Sequence, residues 1–232
     1  MAEGVSARLR TSTALGFVAG FVDSVGFVAM GFFPAHITGN FVLVGAVLAS
    51  SSGGFLIRFI AFVSFIAAVS FTEILLHWCG KHGTTTLRTM LLLEIVLTGG
   101  FGLLGHLAGS PRTTDLALAC GAAALAAAAM GVQSAGVQRI LAGPTTTAMT
   151  GNVTRLVLEF TGLLLRGGDD AQRRDVERIA MLVAGFGFGA LAGAFGVMHA
   201  GFVALALPLA VMAAMVVVAG PPRGAGPKPL AG

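Results

Sequence analysis

Two carboxylates, Asp23 and Glu94, stand inside long apolar runs, and a three-residue signature occurs twice, as Thr38-Gly39-Asn40 and Thr150-Gly151-Asn152. An ionised carboxylate inside a bilayer costs roughly 2.5 to 3.5 kcal/mol on insertion scales, so an acid kept there exchanges a proton or ion, or else hydrogen-bonds in its neutral form to a neighbouring helix. Asp23 and Glu94 are therefore the candidates for proton or ion coupling, although Glu94 is close enough to Arg88 to reach toward the interface. In the repeated signature Thr suits a helix N-cap, Gly lets a ligand or helix approach the backbone, and Asn offers both a donor and an acceptor. If each copy opens a half-helix, its free N–H groups and positive dipole end favour an anionic or carbonyl group. Thr38, Gly39, Asn40, Thr150, Gly151 and Asn152, together with Gln133, are the expected substrate-binding residues. The plainer reading is that Gly permits a tight helix crossing across which Thr and Asn bond.

Each signature follows a matching lead-in, Val22-Asp23-Ser24-Val25-Gly26 with Pro34 and Val132-Gln133-Ser134-Ala135-Gly136 with Pro144. Asp23 to Pro34 and Gln133 to Pro144 are both eleven residues, and the stretch from proline to threonine differs by two. An internal duplication is the expectation, with repeats over about residues 12–109 and 113–219 and a disordered Pro- and Gly-rich tail at 220–232. Gln133 keeps the hydrogen-bonding shape of Asp23 without its charge, so one half alone holds an ionisable group at that place.

The elements that position these residues follow from composition. A chain of 232 residues that is 56% hydrophobic and 10% charged, with a mean hydropathy of +0.90, is a polytopic membrane protein; a soluble domain carries about 25% charged residues. Eight apolar segments, at about 14–33, 36–50, 56–78, 88–108, 115–138, 145–165, 178–198 and 201–219, predict an all-helical bundle of four plus four. The run after Arg8 and Arg10 is read as a first transmembrane helix with a cytoplasmic N-terminus rather than a cleaved signal, because it can span and carries Asp23. The second segment is shorter than the about 20 residues that span a bilayer, and the sixth carries Arg155 and Glu159, four apart and expected to pair. Both are expected to be broken or re-entrant. With six crossings the Lys and Arg residues outside the segments divide eleven cytoplasmic to two external, with Lys81, Arg88 and Arg139 inside and Arg58 and Arg112 outside. Eight crossings give ten to three. The six-crossing arrangement makes the halves inverted, a plan that recurs in secondary transporters, and is the one expected here.

Other chemistries are set aside. The scattered basic residues lack the clustered face that nucleic acid needs. His77, Cys79 and His82 are too few and too apolar in context for a metal centre, and Cys79 with Cys120 gives no disulfide framework. No cofactor is expected. Gly16 and Gly20, and Gly185, Gly189 and Gly193, repeat at four-residue spacing and allow close helix packing.

Gly20-Phe21-Val22-Asp23-Ser24, His36-Ile37-Thr38-Gly39-Asn40, Gly131-Val132-Gln133-Ser134 and Thr145-Thr146-Thr147-Ala148-Met149-Thr150-Gly151-Asn152 resemble the motifs of the YoaK family of bacterial integral membrane proteins, over about residues 12–218. The resemblance implies a multi-pass protein of the bacterial inner membrane and assigns no activity. The expected function is a small secondary transporter of a small, anionic or neutral solute, proton-coupled, with its site between the two Thr-Gly-Asn elements and both termini cytoplasmic. Its partners are the lipid bilayer and that small molecule or ion, with self-association left open and no nucleic acid. The alternatives are a passive channel and a non-transport membrane protein such as an assembly factor or an intramembrane enzyme; the chain shows no partnered nucleophile, and an enzyme is not expected.

Overall fold

A computed structural model describes residues 2–50, 53–82, 86–109, 115–141 and 144–218. Eight α-helices follow one another: α1 Ala2–Met30, α2 Ile37–Ser50, α3 Phe55–His82, α4 Thr86–Leu107, α5 Leu116–Gly136, α6 Met149–Arg166, α7 Asp170–Ala200 and α8 Ala206–Val218. A π-helical turn, Val137–Leu141, prolongs α5, and a 3-10 turn, Gly201–Leu205, leads into α8. No strand occurs among the described residues. The tail at 220–232, the Arg112 loop and the side chains of Cys79, Lys81 and His82 lie outside what is described.

Among the described residues five stretches are long and apolar enough to cross a membrane: Leu9–Met30, Phe55–Trp78, Leu87–Leu107, Leu116–Leu141 and Asp170–Val218. In lipid every backbone polar group needs an internal partner, and a helix supplies it. The last stretch, of 49 residues, reverses at Gly201, whose φ of +59° is the left-handed region that glycine enters without steric penalty. Beyond that reversal, Leu205 lies against Gly102 of α4 and Met215 reaches the cluster around Met90, so α8 runs back along α4.

Contacts fix the directions of the remaining helices. Gly185, Gly189 and Gly193 of α7 meet the backbone of Thr13, Phe17 and Phe21 in turn, so α1 and α7 run parallel. A Cβ at Gly20 or Gly189 would collide with the facing main chain, which is why glycine occupies these places. Gly131 abuts Phe65 and Arg139 pairs with Glu73, which makes α3 parallel to α5. Met90 lies against Gly136 and Leu125 against Gly100, so α4 is antiparallel to α5. The Leu15 carbonyl accepts a hydrogen bond from Gln133, whereas Phe32, just beyond α1, meets Phe101 at the level of Leu125. Hence α1 and α5 are antiparallel. α1, α3, α4, α5, α7 and α8 make six alternating passes between a Leu9 end and a Met30 end. α5 runs through the middle on a surface of buried alanines, among them Ala122, Ala123, Ala126 and Ala127.

α2 and α6 are the odd elements. At 14 residues α2 is about 21 Å long; it leans on α3, where Phe41 and Phe62 meet with ring centroids 4.7 Å apart. α6 packs on α7, and there the expected pairing of Arg155 with Glu159 gives way to an ion pair between Arg155 and Asp175. The physical reason is an extension of α7, which starts at Asp170, eight residues before its apolar segment, because Asp169 caps it by accepting from the Gln172 N–H. That charged N-terminal extension places Asp175, an acid from another helix, beside Arg155.

Candidate functional site

The turn between α1 and α2 is organised by one acid and one amide. Gly31, with φ +70°, ends α1, and its carbonyl accepts from Arg58 Nε at 3.0 Å. Residues 32–36 then fold back onto α1. Asp23 Oδ1 accepts from the Ala35 N–H at 2.7 Å, and Oδ2 lies 2.6 Å from His36 Nδ1. Asp23 is 5% exposed, which is affordable only with such partners. The Asp23 hydrogen bond, aided by its charge and opposed by burial, raises the pKa of His36 above the ordinary histidine value. The imidazole also meets the ring edge of Phe186 on α7, centroids 5.5 Å apart. Asn40 closes the turn: its side chain donates to the Phe33 carbonyl at 2.7 Å and accepts from the Phe33 N–H at 2.9 Å.

The turn between α5 and α6 reaches a similar shape with neutral groups. Gln133 Nε2 donates to Thr146 Oγ1 at 2.6 Å and to the Leu15 carbonyl at 2.9 Å. Thr147 donates to Ser134 Oγ at 3.0 Å, and Thr145 Oγ1 lies 3.1 Å from Thr147 Oγ1. Asn152 Nδ2 donates to the Thr145 carbonyl at 2.7 Å. Asn40 and Asn152 thus each reach the residue seven positions earlier. Measured from these amides, Pro34 and Pro144 do not occupy matching places, and the second half's additional length falls before the loop, where the π-helical turn stretches the end of α5.

The structure divides the expected binding residues. Asn40, Asn152 and Gln133 are buried, and their amides are engaged with the protein; Thr38, Thr150 and Gly151 are exposed, and Gly39 rests beside the Phe33 ring. Neither threonine is an N-cap, since α2 and α6 begin one residue before it, at Ile37 and Met149, and Ala148 caps α6 without a side-chain bond. The two triplets are not brought together. Asp23 and Gln133 both lie in the C-terminal halves of their helices, and because those helices are antiparallel one turn sits toward the Met30 end and the other toward the Leu9 end. Glu94 is fully buried on α4, and neither of its carboxyl oxygens has a hydrogen-bond partner.

Reading the chain alone missed His36 as the partner of Asp23 and the hydroxyl cluster of Ser134, Thr145 and Thr147. The run Thr145-Thr146-Thr147 was a visible signal; the Asp23–His36 pairing crosses a helix end, where periodicity carries no information. It also missed a groove of about 680 Å³ between α3 and α5 near the Leu9 end, lined by Ser70, Glu73, Ser134, Gln138 and Arg139, whose Glu73–Arg139 ion pair is 2.8 Å long. Among the described residues no group of three or more His, Cys, Asp and Glu side chains could hold a metal. The chemistry on offer is proton exchange at a carboxylate–imidazole pair and hydrogen bonding at hydroxyls and amides.

Apolar spans arranged around two inward polar turns define a multi-pass helical membrane protein. The sequence signature described as "Protein of unknown function (DUF1275)" matches residues 11–218, and the chain belongs to that family. No curated protein and no solved structure matches it.

Proposed function

We propose that the chain is a small secondary transporter of a polar solute, built from two inverted repeats and coupled to protons through Asp23. The observation that carries this reading is the crosswise packing: the first helix of each half lies parallel to the third helix of the other, while the two first helices are antiparallel and each ends in a polar turn. Inverted repeats with interrupted helices let one fixed site open to either side in alternation. The Leu9 end bears the larger share of Lys and Arg, so it faces the cytoplasm of a bacterial inner membrane, with both termini on that side.

Asp23 and His36 take up a proton on one side and release it on the other; Glu94 is the second acid inside the bundle. The amides of Asn40 and Asn152 are spent on loop backbone, so they shape the site; the solute meets His36 at the turn toward the Met30 end, and the hydroxyls of Ser134, Thr145 and Thr147, beside Gln133, at the turn toward the Leu9 end. Thr38, Gly39, Thr150 and Gly151 serve by setting the start of α2 and α6. No step calls for enzymatic chemistry or a cofactor.

Flux into proteoliposomes, with a panel of small anionic and neutral metabolites and an internal pH dye, tests this. A solute should move in proportion to the pH gradient with saturable kinetics, and Asp23→Asn should abolish the gradient dependence while the protein still folds. Unsaturable, gradient-independent flux would establish a passive channel. Impermeant thiol labelling of Cys at position 81 or 139 from outside checks the orientation: neither should react in sealed cells.

A further inference from the structure

Glu94 poses a chemical problem that the helices around it do not solve. It lies on the inward face of α4, with Leu91, Thr98 and Phe101, and is fully buried. Both carboxyl oxygens lack a hydrogen-bond partner, as does Thr98 Oγ1 one turn along the same face. The packed neighbours bring no cation. α5 carries no charged residue between Leu116 and Gly136, and neither does the stretch from Gly201 through α8; the only titratable group there is the Cys120 thiol. On α1, Asp23 is bonded to His36, and on α3, Glu73 is paired with Arg139 while Arg58 is bonded to Gly31. On α4 itself Arg88 and His106 lie at the two ends. An unpaired carboxylate in such surroundings is far too costly to persist.

A second orphan stands at the same level. Gln133 Oε1 has no partner, although Gln133 Nε2 has two. The register of α4 on α5, with Met90 against Gly136 and Gly100 against Leu125, places Glu94 level with Val132 and Gln133. Met90, Leu91, Leu15 and Val132 share one buried cluster, and it is the Leu15 carbonyl that Gln133 holds. Two acceptors at one level, both without a donor, are satisfied by one proton.

We infer that Glu94 is a proton-binding site: the resting protein holds it as the neutral acid, and its O–H donates to Gln133 Oε1. The proton comes from hydronium in the aqueous phase: its O–H bond to water breaks as an O–H bond forms on one carboxyl oxygen, and water is left. Gln133 then links this acid to Thr146 and so to the turn between α5 and α6. Asp23 serves the first turn directly; the second turn is reached through an amide by an acid one helix away, on α4. Losing the proton leaves two acceptors facing each other, and a reoriented Gln133 amide would release Thr146. This deepens the transport reading, and its test needs no transport.

Infrared difference spectroscopy of the full chain in lipid nanodiscs, with carboxyl-labelled glutamate, reads the acid directly. At neutral pH a protonated-glutamate carbonyl band should be present, vanish in Glu94→Gln, persist in Asp23→Asn, and shift in Gln133→Leu as its hydrogen bond is lost. Glu94→Gln keeps the side-chain volume, and circular dichroism confirms that it folds. Absence of the band in folded wild type overturns the inference, as does a band unmoved by Gln133→Leu. A band that Na⁺ or K⁺ removes at fixed pH would also overturn it, making Glu94 and Thr98 a cation site instead. If transport proves independent of Asp23 while the Glu94 band is present, the coupling proposal falls and this one stands.

Discussion

The two polar turns solve one geometric problem with different chemistry. At the end of α1, a carboxylate takes the loop N–H of Ala35 and the imidazole of His36; at the end of α5, an amide and a set of hydroxyls do the corresponding work without charge. What they share is the asparagine that ties the following helix to the loop. The shared part ties helix to loop, and the differing part sets the chemistry: a carboxylate–imidazole turn facing one end of the bundle and a neutral one facing the other. The helices that follow differ likewise, α2 carrying no charged residue and α6 carrying Arg155, Glu159 and Arg166.

The largest expected effect separates the two asparagines. Asn40→Ala strands both the N–H and the C=O of Phe33 in a partly buried setting, at about 1 to 3 kcal/mol for each orphaned group, so about 3 kcal/mol of stability should be lost. Asn152→Ala removes one strong bond, to the Thr145 carbonyl, and should cost about half as much. Thermal unfolding in detergent ranks them, and equal losses would mean that the turns are held alike.

Next comes the charge. Because the folded pKa of His36 is raised, the stabilisation from its pairing with Asp23 is fully present below the ordinary histidine value of about 6.5 and is lost as pH rises through the raised one. The melting temperature of wild type should exceed that of Asp23→Asn by a margin that shrinks across that window. Gln133→Leu should instead lower the melting temperature evenly with pH, by about 1 to 3 kcal/mol in stability, through the lost hydrogen bonds to the Thr146 hydroxyl and the Leu15 carbonyl.

The smallest effect concerns the signature glycines. Around Gly151 there is open space, so Gly151→Ala should be neutral or stabilise α6 by up to about 1 kcal/mol. A Cβ at Gly39 would press on the Phe33 ring, so Gly39→Ala should lose part of that gain. Melting temperatures of the pair sharpen the comparison, because a ligand contact at either glycine would show instead as lost binding with stability unchanged.

Much of the architecture was legible before any coordinates. Hydropathy marked the segments, the length of 36–50 marked α2 as unable to span, and the glycine spacings marked α1 and α7 as helices able to pack closely, though not as partners of each other, since these features act locally or along one helix face. The site was legible only in outline. The signature pointed to the two turns, yet the roles within it were reversed: asparagine, read as a ligand for solute, holds the loop, and threonine, read as a cap, lies exposed in the first turn. Such roles depend on which backbone atoms a loop turns inward, and side-chain chemistry alone does not encode that. Arg155 chose Asp175 over Glu159 for the same reason, a partner supplied by tertiary packing.

The bare backbone contact of α1 with α7 has a consequence for how the chain can come apart. Gly16 and Gly20 on one side, and Gly185, Gly189 and Gly193 on the other, bring main chain against main chain between α1 and α7, which lie far apart in sequence. A cut between residues 109 and 115 would therefore not yield two self-sufficient pieces, because each would carry one side of the α1–α7 seam. Synthesised together, the fragments should find one another in the membrane and reassemble; synthesised alone, each should expose a glycine-lined face and be degraded.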